Sequence, residues 1–449
     1  MNIIIVGLGN VGQELVCRLS KENHSIVAID NDLKRLEQIV NQYDVKGILG
    51  NGASYDILTE AEAGNSDLLI ACTALDELNI LCCLVGKKLG VKDTIARVRT
   101  PEYFTLFEST DFGLSMMVNP EYETAVSISR ILYYTSALQL KPFADGKVDL
   151  VEFKVTNKTK LSGVGLKDIQ QHFKRKILIC AVERADDVII PSGDFVLQDN
   201  DKIYIIMPNN DISSIFEDLA SKEKPIKKVM IIGGNGTAFY LVNELLKFGM
   251  KIKIIEADQK RCEHLSESFS KLEIIQGEGT DQKLLIDEGL ERMDAVVCLS
   301  DNDEQNIIIS MFARHQGIKK VVTRLDNNSY YRMLQHVNID SIVSSKSTTA
   351  DQITRYVRAK QDSQGGSVNM LYRIVNEQAE AIEFTVGKDF RYVGIPLKDI
   401  RLKSNILVAT IVRNGTILIP DGNDYLDIGD IVVVVTTHYA LDDLNEILG

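Results

Sequence analysis

Three glycines near the start of the chain have the spacing of a phosphate-binding loop. Gly7-x-Gly9-x-x-Gly12 follows a short apolar run and precedes an amphipathic stretch. In such a loop the first glycine permits a tight turn, the second lets a pyrophosphate approach the backbone, and the third allows close packing of the helix. Free amides at the start of the helix, with its dipole behind them, would face the phosphates. The predicted phosphate-binding residues are Gly7, Leu8, Gly9, Asn10, Val11 and Gly12.

An acidic residue follows at the distance that a dinucleotide site requires. Asp30 ends the next apolar run, 18 residues after Gly12. A carboxylate there accepts hydrogen bonds from ribose hydroxyls and repels a 2′-phosphate, which favours NAD(H) over NADP(H). It does not separate NAD from ATP, ADP or AMP, because all of them carry the same ribose. The alternative interpretation is a surface aspartate that caps the helix after it.

Further polar residues follow the third, fourth and fifth apolar runs. They are Asn51, Gly52, Thr73 and Arg97. Ligands of open α/β sheets bind outside the carboxyl ends of the strands, so these positions are candidate nucleotide contacts. Arg97 could pair with a phosphate or with an acidic neighbour. Ordinary loop chemistry and a structural salt bridge remain the alternative for all four.

The elements that would position these residues alternate between short apolar runs and amphipathic stretches. This rhythm predicts a parallel sheet with helices on both faces. The predicted strands are Ile3–Val6, Ser25–Ile29, Lys46–Leu49, Leu68–Cys72 and Thr94–Val98. A helix is predicted over Pro120–Leu138, and the strand-rich segment after it predicts a smaller module.

The whole block occurs twice. Gly7 and Asp30 are matched by Gly233 and Glu256, both 226 residues further along the chain. The run Asp76-Glu77-Leu78-Asn79 returns as Asp303-Glu304-Gln305-Asn306, 227 residues further along. Such ordered matches indicate a tandem duplication. In the second copy Asn235 replaces the middle glycine, where its side chain would occupy the space of the pyrophosphate, so we expect a retained fold and weaker, altered or absent nucleotide binding.

The predicted fold class is therefore α/β, with two Rossmann-type doubly wound parallel-sheet domains, each followed by a small α+β module, in tandem. The predicted nucleotide-binding domains are residues 1–120 and 228–346. Crossover helices are predicted within 121–140 and 347–367, the second with a linker, and small modules within 141–224 and 368–449. The charged segment Ser221–Lys228 is the predicted hinge between the halves.

Composition excludes several functional classes. The net charge of -13 disfavours binding to nucleic acid, and no helix-turn-helix accompanies it, which disfavours a transcription factor. Seven cysteines without a metal-ligand spacing predict reduced thiols, and hence neither a disulfide framework nor a metal site. We expect no secretory signal, and no apolar run approaches the roughly 18 residues of a membrane span. None of the six histidines lies in a catalytic motif, so we expect no catalytic residues and a binding protein, with a soluble NAD-dependent oxidoreductase as the alternative.

The motifs also resemble a known family. IIIVGLGNVG, Asp30, GNGAS, Asp76-Glu77-x-Asn79 and IARVRTPEY are similar in order to the regulator-of-potassium-conductance (RCK) N-terminal domain. LQLKPFADGKVDLVEF with the Pro191-Ser192-Gly193 turn resembles the family's C-terminal module, and two such blocks resemble Trk-type potassium-uptake regulatory proteins.

The resemblance implies a cytoplasmic regulatory subunit at the inner face of the cell membrane, held there by an integral-membrane potassium channel or transporter. It implies self-association into a ring, as a homotetramer, whose shape is set by NAD(H), with ATP or ADP as further ligands. Carried onto the second copy, it implies nucleotide contacts at Gly233, Gly234, Asn235, Gly236, Thr237, Glu256, Glu278, Gly279, Ser300 and Arg324. Some relatives carry an arginine in the glycine loop where Asn10 stands, which leaves open how phosphate charge is balanced in this chain.

Overall fold

The chain forms two compact units, each assembled from both copies of the repeat. The computed structural model describes residues 1–22, 24–100, 103, 113–133, 139–143, 147–156, 159, 161–173, 176–185, 187–208, 225–327, 330, 339, 341–362, 368–374, 378–438, 441 and 443–449. One unit combines Met1–Ser129 with Lys227–Thr354, and the other combines Arg130–Ile226 with Arg355–Gly449. Like domains are therefore grouped with like, an arrangement that the linear order of the repeat does not reveal.

The first copy begins with a six-stranded parallel sheet. Its strands are β1 (Asn2–Val6), β2 (Ser25–Asp30), β3 (Lys46–Leu49), β4 (Leu68–Ala71), β5 (Asp93–Arg97) and β6 (Met116–Val118). They lie in the order β3-β2-β1-β4-β5-β6. The central strands are buried along nearly their whole length, because helices cover both faces of a parallel sheet. The predicted α/β class is confirmed, whereas β6 was not predicted, since three residues are too few to show a period.

Helices follow the strands of this sheet in turn. They are α1 (Asn10–Leu19), α2 (Leu33–Gln42), α3 (Tyr55–Glu60), α4 (Asp76–Leu89) and α5 (Pro120–Tyr133). The predicted helix over Pro120–Leu138 is thus described only to Tyr133, and residues 134–138 lie outside the described part of the chain. The order of the sheet reverses at β1, whose neighbours β2 and β4 continue in opposite directions. Ligands of doubly wound sheets bind in the crevice at such a point.

The second copy reproduces this topology. Its strands are β12 (Lys228–Ile232), β13 (Lys251–Glu256), β14 (Glu273–Gln276), β15 (Ala295–Cys298), β16 (Lys320–Arg324) and β17 (Ser341–Val343), in the order β14-β13-β12-β15-β16-β17. Its helices are α6 (Gly236–Lys247), α7 (Gln259–Ser268), α8 (Gln282–Asp287), α9 (Asp303–His315) and α10 (Ser345–Asp362). The tandem duplication is therefore visible in three dimensions, because both sheets share one strand order.

The second unit contains two antiparallel five-stranded sheets. The first has β7 (Gln139–Phe143), β8 (Val148–Lys154), β9 (Leu178–Arg184), β10 (Asp187–Ile189) and β11 (Lys202–Pro208). The other has β18 (Val368–Ile374), β19 (Ala379–Thr385), β20 (Ile406–Arg413), β21 (Thr416–Leu418) and β22 (Ile431–Thr436). Side chains of both sheets, Phe143 and Val433 among them, share one buried cluster. The two small modules therefore fold against each other. The predicted hinge lies mostly outside the described residues.

Candidate functional site

The first glycine loop turns sharply between β1 and α1. Gly7 has φ +92°, a left-handed conformation, and a Cβ placed on it would lie 2.8 Å from the backbone nitrogen of Thr73. A Cβ on Gly12 would lie 1.9 Å from the carbonyl oxygen of Gly7, so only glycine lets α1 pack this closely. A Cβ on Gly9 would meet nothing within 4 Å. Gly7 and Gly12 thus serve the turn and the packing, and Gly9 borders open space.

The first turn of α1 carries no cap from a side chain. Gly9 occupies the N-cap position, and no side-chain hydrogen bond satisfies the amides that follow it among the described residues. The first amides of a helix have no partner within the helix, and the helix dipole makes them favour an anion. Leu8 and Val11 are buried in the core, so these two residues can offer a ligand only their main chain.

Asp30 lies at the end of β2 with its carboxylate directed at the glycine loop. One oxygen accepts a hydrogen bond of 2.5 Å from the amide of Leu8, and the other accepts one of 2.8 Å from the amide of Asp32. A carboxylate oxygen has two lone pairs, so capacity for ribose hydroxyls remains. The capping alternative does not hold, because Asp32 is the residue that caps α2, through the amides of Lys34 and Arg35.

Asn51 and Gly52 follow β3 beside these residues. The side-chain oxygen of Asn51 accepts a hydrogen bond of 3.0 Å from the amide of Ala53, and the residue is exposed. Gly52 is buried, and a Cβ there would lie 2.1 Å from Cγ1 of Val6 in β1. The loop after β3 therefore lies against the end of β1, on the edge of the sheet that carries the glycine loop.

Thr73 and Arg97 are joined by a residue that the sequence patterns did not single out as part of the site. The fully buried Asn79 accepts hydrogen bonds of 2.7 Å from both the amide and the hydroxyl of Thr73. Its side-chain nitrogen donates to the carbonyl oxygens of Thr73 at 3.2 Å and Arg97 at 2.8 Å. Asn79 therefore fixes the ends of β4 and β5 relative to each other. The recurrence of the Asp-x-x-Asn run was the available signal.

The side chain of Arg97 is a cation without a direct ion pair among the described residues. Its guanidinium makes no hydrogen bond or ion pair within the described part of the chain, and its Nε is buried. Burial lowers the pKa of Arg97, and the like charge of Arg99 acts in the same direction. Neighbouring Cys72 is fully buried, which raises the pKa of its thiol to about 12. This corner of the site thus carries an inert thiol and a guanidinium that the carboxylates of Asp76 and Glu121 influence without a direct ion pair.

The second glycine loop has the same turn as the first, but a side chain fills the space that lies open beside Gly9 in the first copy. Gly233 has φ +103°, like its counterpart. The side chain of Asn235 caps α6 by accepting from the amide of Ala238 at 3.3 Å, and it donates to the carbonyl oxygen of Leu299 at 2.7 Å and to Asp301 at 3.1 Å. The helix amides that are uncapped in the first copy are therefore partly satisfied by the protein itself.

An acidic residue neutralises the arginines of the second copy. Asp301 accepts a hydrogen bond of 3.0 Å from Arg261 and lies 3.5 Å from Arg324. Burial opposes the ionisation of Asp301, but hydrogen bonds from Asn235 and Arg261 lower its pKa overall. Arg324 also pairs with Asp326 at 3.0 Å.

The equivalent positions of the first copy carry no acid. Two residues 227 positions earlier in the chain, Ala74 and Arg99, stand where the second copy has Asp301 and Asp326. The two sites therefore differ in how their arginines are held, because Arg324 is paired with acids at these positions and Arg97 is not.

The remaining residues of the second set occupy equivalent places. Glu256 accepts hydrogen bonds from the amides of Gly234 and Asp258, and Thr237 is buried in α6. Asn306 joins Ser300 and Arg324 as Asn79 does in the first copy. Glu278 is exposed, and a Cβ on Gly279 would lie 2.3 Å from Cγ2 of Ile232. The scaffold of the site is retained although its opening differs.

Two further features bear on function. Among the described residues, no group of three or more His, Cys, Asp or Glu side chains could hold a metal ion. In the same part of the chain, no helix has both the length and the apolar character that crossing a bilayer requires.

Comparison with known proteins identifies both parts of the repeat. Residues 3–120 and 229–345 match the TrkA-N domain, and residues 150–220 and 381–449 match the TrkA-C domain. The Trk system potassium uptake protein TrkA homolog 1 of Methanosarcina mazei is 32% identical, with 99% of each chain covered. The Trk system potassium uptake protein TrkA of Vibrio alginolyticus is 31% identical, over 98% of this chain and 97% of that one.

Solved structures share the fold at lower identity. The GsuK channel bound to NAD superposes with a TM-score of 0.64 at 18% identity, covering 98% of this chain and 77% of that one. The GsuK RCK domain gives the same TM-score at 17% identity, covering 98% of this chain and 93% of that one. The matches to the two domain models cover most of the chain in both copies, and the sequence similarity extends over the full length of relatives. The chain belongs to the TrkA family of Trk-system potassium-uptake proteins.

Proposed function

We propose that the chain is a nucleotide-binding regulatory subunit that gates a membrane potassium-uptake channel or transporter. One observation carries the proposal: the uncapped start of α1 borders open space at Gly9, with the carboxylate of Asp30 directed at the same loop and the unpaired guanidinium of Arg97 at the end of β5 in the same sheet. This combination suits an adenine nucleotide, because amides and arginine favour phosphates and the carboxylate favours ribose hydroxyls. NAD(H) is the preferred ligand of this proposal, with ATP or ADP as alternatives.

Ligand contacts are proposed at the predicted residues of the first copy. The main chain of Gly7 to Gly12 holds the phosphates, and Asp30 holds the ribose. Asn51, Gly52, Thr73 and Arg97 complete the edge of the crevice. The equivalent residues of the second copy keep the same backbone arrangement. They contribute to the conformation of the subunit more than to its affinity for the nucleotide. The domain boundaries predicted from the sequence are retained as part of this proposal.

The surroundings of the site support a proposal of regulation without catalysis. Three of the described histidines have other contacts, since His24 contacts the amino terminus, His264 stacks on Phe239, and His438 bonds to the carbonyl oxygen of Ser404. The other two described histidines, His172 and His315, are exposed. A dehydrogenase needs a general acid or base beside its cofactor. Binding energy would instead shift a conformational equilibrium of the subunit, through a difference in affinity between two states.

The partner is proposed to be an integral-membrane potassium transporter or channel, as the names of the relatives imply, so that the subunit acts in the cytoplasm at the inner face of the membrane. Self-association into a ring, as a homotetramer, is supported by exposed apolar residues that recur at equivalent positions of both copies. Leu81 and Leu84 are exposed on α4, and Ile308 and Met311 are exposed at the equivalent positions of α9. Surfaces of this kind mark contacts between proteins, and their repetition suits a ring of equivalent units.

Potassium uptake by the native host tests the proposal. Cells that lack the chain are supplied with the unaltered chain or with Asp30→Asn, and the initial rate of potassium uptake is measured at equal protein levels. We expect the unaltered chain to restore uptake and Asp30→Asn to fail. Full restoration by Asp30→Asn would contradict a role for the nucleotide. Steady consumption of NADH by the purified chain with any small substrate would favour the oxidoreductase alternative.

A further inference from the structure

The first turns of α5 and α10 carry residues of opposite charge at equivalent positions. Asn119 follows β6 and caps α5 by accepting from the amides of Glu121 and Tyr122, both at 3.0 Å. Ser344 follows β17 and accepts from the amide of Ser347 at 3.4 Å in the same way. Glu121 and Lys346 are thus each the second residue of their helix. The duplicated position therefore carries an acidic residue in the first copy and a basic residue in the second.

Glu121 of the first copy lies against the glycine loop of the second copy. A Cβ placed on Gly236, the first residue of α6, would lie 1.9 Å from Oε2 of Glu121, so the carboxylate is seated over the start of that helix. The contact is held by neighbours, because Tyr240 of α6 donates to the carbonyl oxygen of Arg99 at 2.9 Å and accepts from Asn119 at 2.9 Å. An anion at the beginning of a helix is where a phosphate would otherwise bind.

The charges around Glu121 are consistent with a carboxylate that takes the place of a phosphate. The guanidinium groups of Arg99, Arg324 and Arg97 act on the carboxylate from both copies. Burial raises the pKa of Glu121, and these arginines oppose the rise by favouring the ionised form. The carboxylate thus lies among cations at a helix start, which are the surroundings of a bound phosphate group.

Lys346 of the second copy contacts α1, the helix that follows the glycine loop of the first copy. Its Nζ lies 4.0 Å from Oε2 of Glu14 in α1, and its side chain is 17% exposed. Glu14 is one helical turn beyond Asn10, which is the counterpart of Gly236, so both lie on the same face of α1. Arg18 links the same region to the second copy, because it bonds both Glu14 and Asp351. A cation therefore contacts α1 one turn after the position at which an anion contacts α6.

We propose that Glu121 and Lys346 decide which of the two glycine loops accepts a nucleotide. Lys346 serves as the counter-ion for phosphates bound at the first loop, where the loop itself has Asn10 and no cation. Glu121 occupies the phosphate position of the second loop and closes it, together with Asn235. The inference rests on the proposed function, and it specifies one nucleotide per chain with a site completed by the other copy.

Reversal of the charge at position 346 tests the first half of the proposal. Binding of ATP and of adenosine to the full chain is measured for the unaltered protein, for Lys346→Glu, and for Lys271→Glu as an exposed control in the same unit. We expect Lys346→Glu to lower the affinity for ATP at least tenfold. The affinity for adenosine, which lacks phosphates, should change less than twofold. Unchanged ATP affinity, or an equal loss for adenosine, would overturn the role of Lys346.

The number of bound nucleotides tests the second half. We expect one ADP per chain for the unaltered protein and for Asn235→Gly, because Glu121 still closes the loop. The double variant Glu121→Gln with Asn235→Gly should bind two. One ADP in the double variant, or two in the unaltered chain, would overturn the role of Glu121 and leave the proposed function standing. No ADP bound to the unaltered chain would overturn the proposed function, and this inference with it.

Discussion

The carboxylate of Asp30 accepts a hydrogen bond of 2.5 Å from the main-chain amide of Leu8, which joins the acid after the second strand to the loop after the first. The two residues are buried, so the bond is shielded from water. Glu256 makes the same bond to the amide of Gly234 in the second copy. The bond therefore belongs to the scaffold that both copies share, and the difference between the copies lies in what faces the ligand.

Alanine substitutions at Gly9 and Gly12 should have opposite consequences. Gly12→Ala forces a Cβ against the carbonyl oxygen of Gly7, so we expect the free energy of unfolding to fall by about 1–3 kcal/mol. Gly9→Ala meets no protein atom, so the free energy of unfolding should change by no more than about 1 kcal/mol. Its Cβ borders the proposed pyrophosphate, and ADP affinity should fall at least about tenfold. Thermal unfolding and calorimetric titration of both variants check this, and normal ADP binding by Gly9→Ala would contradict it.

Removal of the Asn79 side chain should destabilise the first sheet. Asn79→Ala leaves the amide of Thr73 and the carbonyl oxygen of Arg97 without these partners, and we expect a loss of about 2–4 kcal/mol in the free energy of unfolding. Asn306→Ala should cost a similar amount, since it breaks the equivalent bonds. Asn51→Ala is the control, because its side chain is exposed and bonds only one loop amide. Denaturant unfolding measures all three, and equal stability of Asn79→Ala and Asn51→Ala would refute the structural role.

A charge on the exposed apolar surface should disrupt assembly. Leu81→Glu and Ile308→Glu each place a carboxylate at exposed positions of α4 and α9, 49% and 54% exposed, where burial against another chain would be costly. We expect each substitution to lower the molar mass measured by light scattering while the thermal midpoint stays unchanged. Glu267→Gln on α7 is a surface control that should leave the mass unaltered. A mass unaffected by both leucine and isoleucine substitutions would argue against assembly through this surface.

The stability of the second unit should decrease as the pH rises from about 4 to about 6, because of the buried carboxyl group of Asp149. Burial raises the pKa of Asp149 to about 6, against the opposing charge of Arg130 at 3.6 Å. The folded state therefore binds more protons than the unfolded state in this window, so the free energy of unfolding decreases as pH rises through it. Asp149→Asn should remove about 3 kcal/mol of this pH dependence. Unfolding at several pH values measures the difference between the two proteins, which should grow with pH, and a constant difference would contradict the assignment.

Much of the fold could be predicted because the relevant signals are local. The apolar run Ile3–Val6 and the glycine spacing after it identify a strand, a turn and a helix within a few residues of one another. Asp30 could be predicted for the same reason, since its distance from Gly12 is set by one helix and one strand. The short strand β6 was not predicted, because three residues show no period and its burial depends on the neighbouring strand.

The parts of the site that could not be predicted depend on contacts between distant segments. Asn79 appears in a repeated run, but only the folded sheet shows that it joins Thr73 to Arg97. Glu121 and Lys346 lie on ordinary helix starts in the sequence, and their significance arises only where one copy meets the loop of the other. The grouping of like domains places them there.

Titration of the purified chain with ADP, comparing Asp30→Ala with Glu256→Ala, tests the central claim most directly. The two substitutions remove equivalent acids, each of which accepts bonds from two backbone amides, so they disturb the scaffold alike. We expect Asp30→Ala to weaken ADP by about 1–3 kcal/mol, because hydrogen bonds between ribose and a charged group are lost, and Glu256→Ala to leave the affinity unchanged. Unchanged affinity in Asp30→Ala, or an equal loss in Glu256→Ala, would contradict a nucleotide site in the first copy.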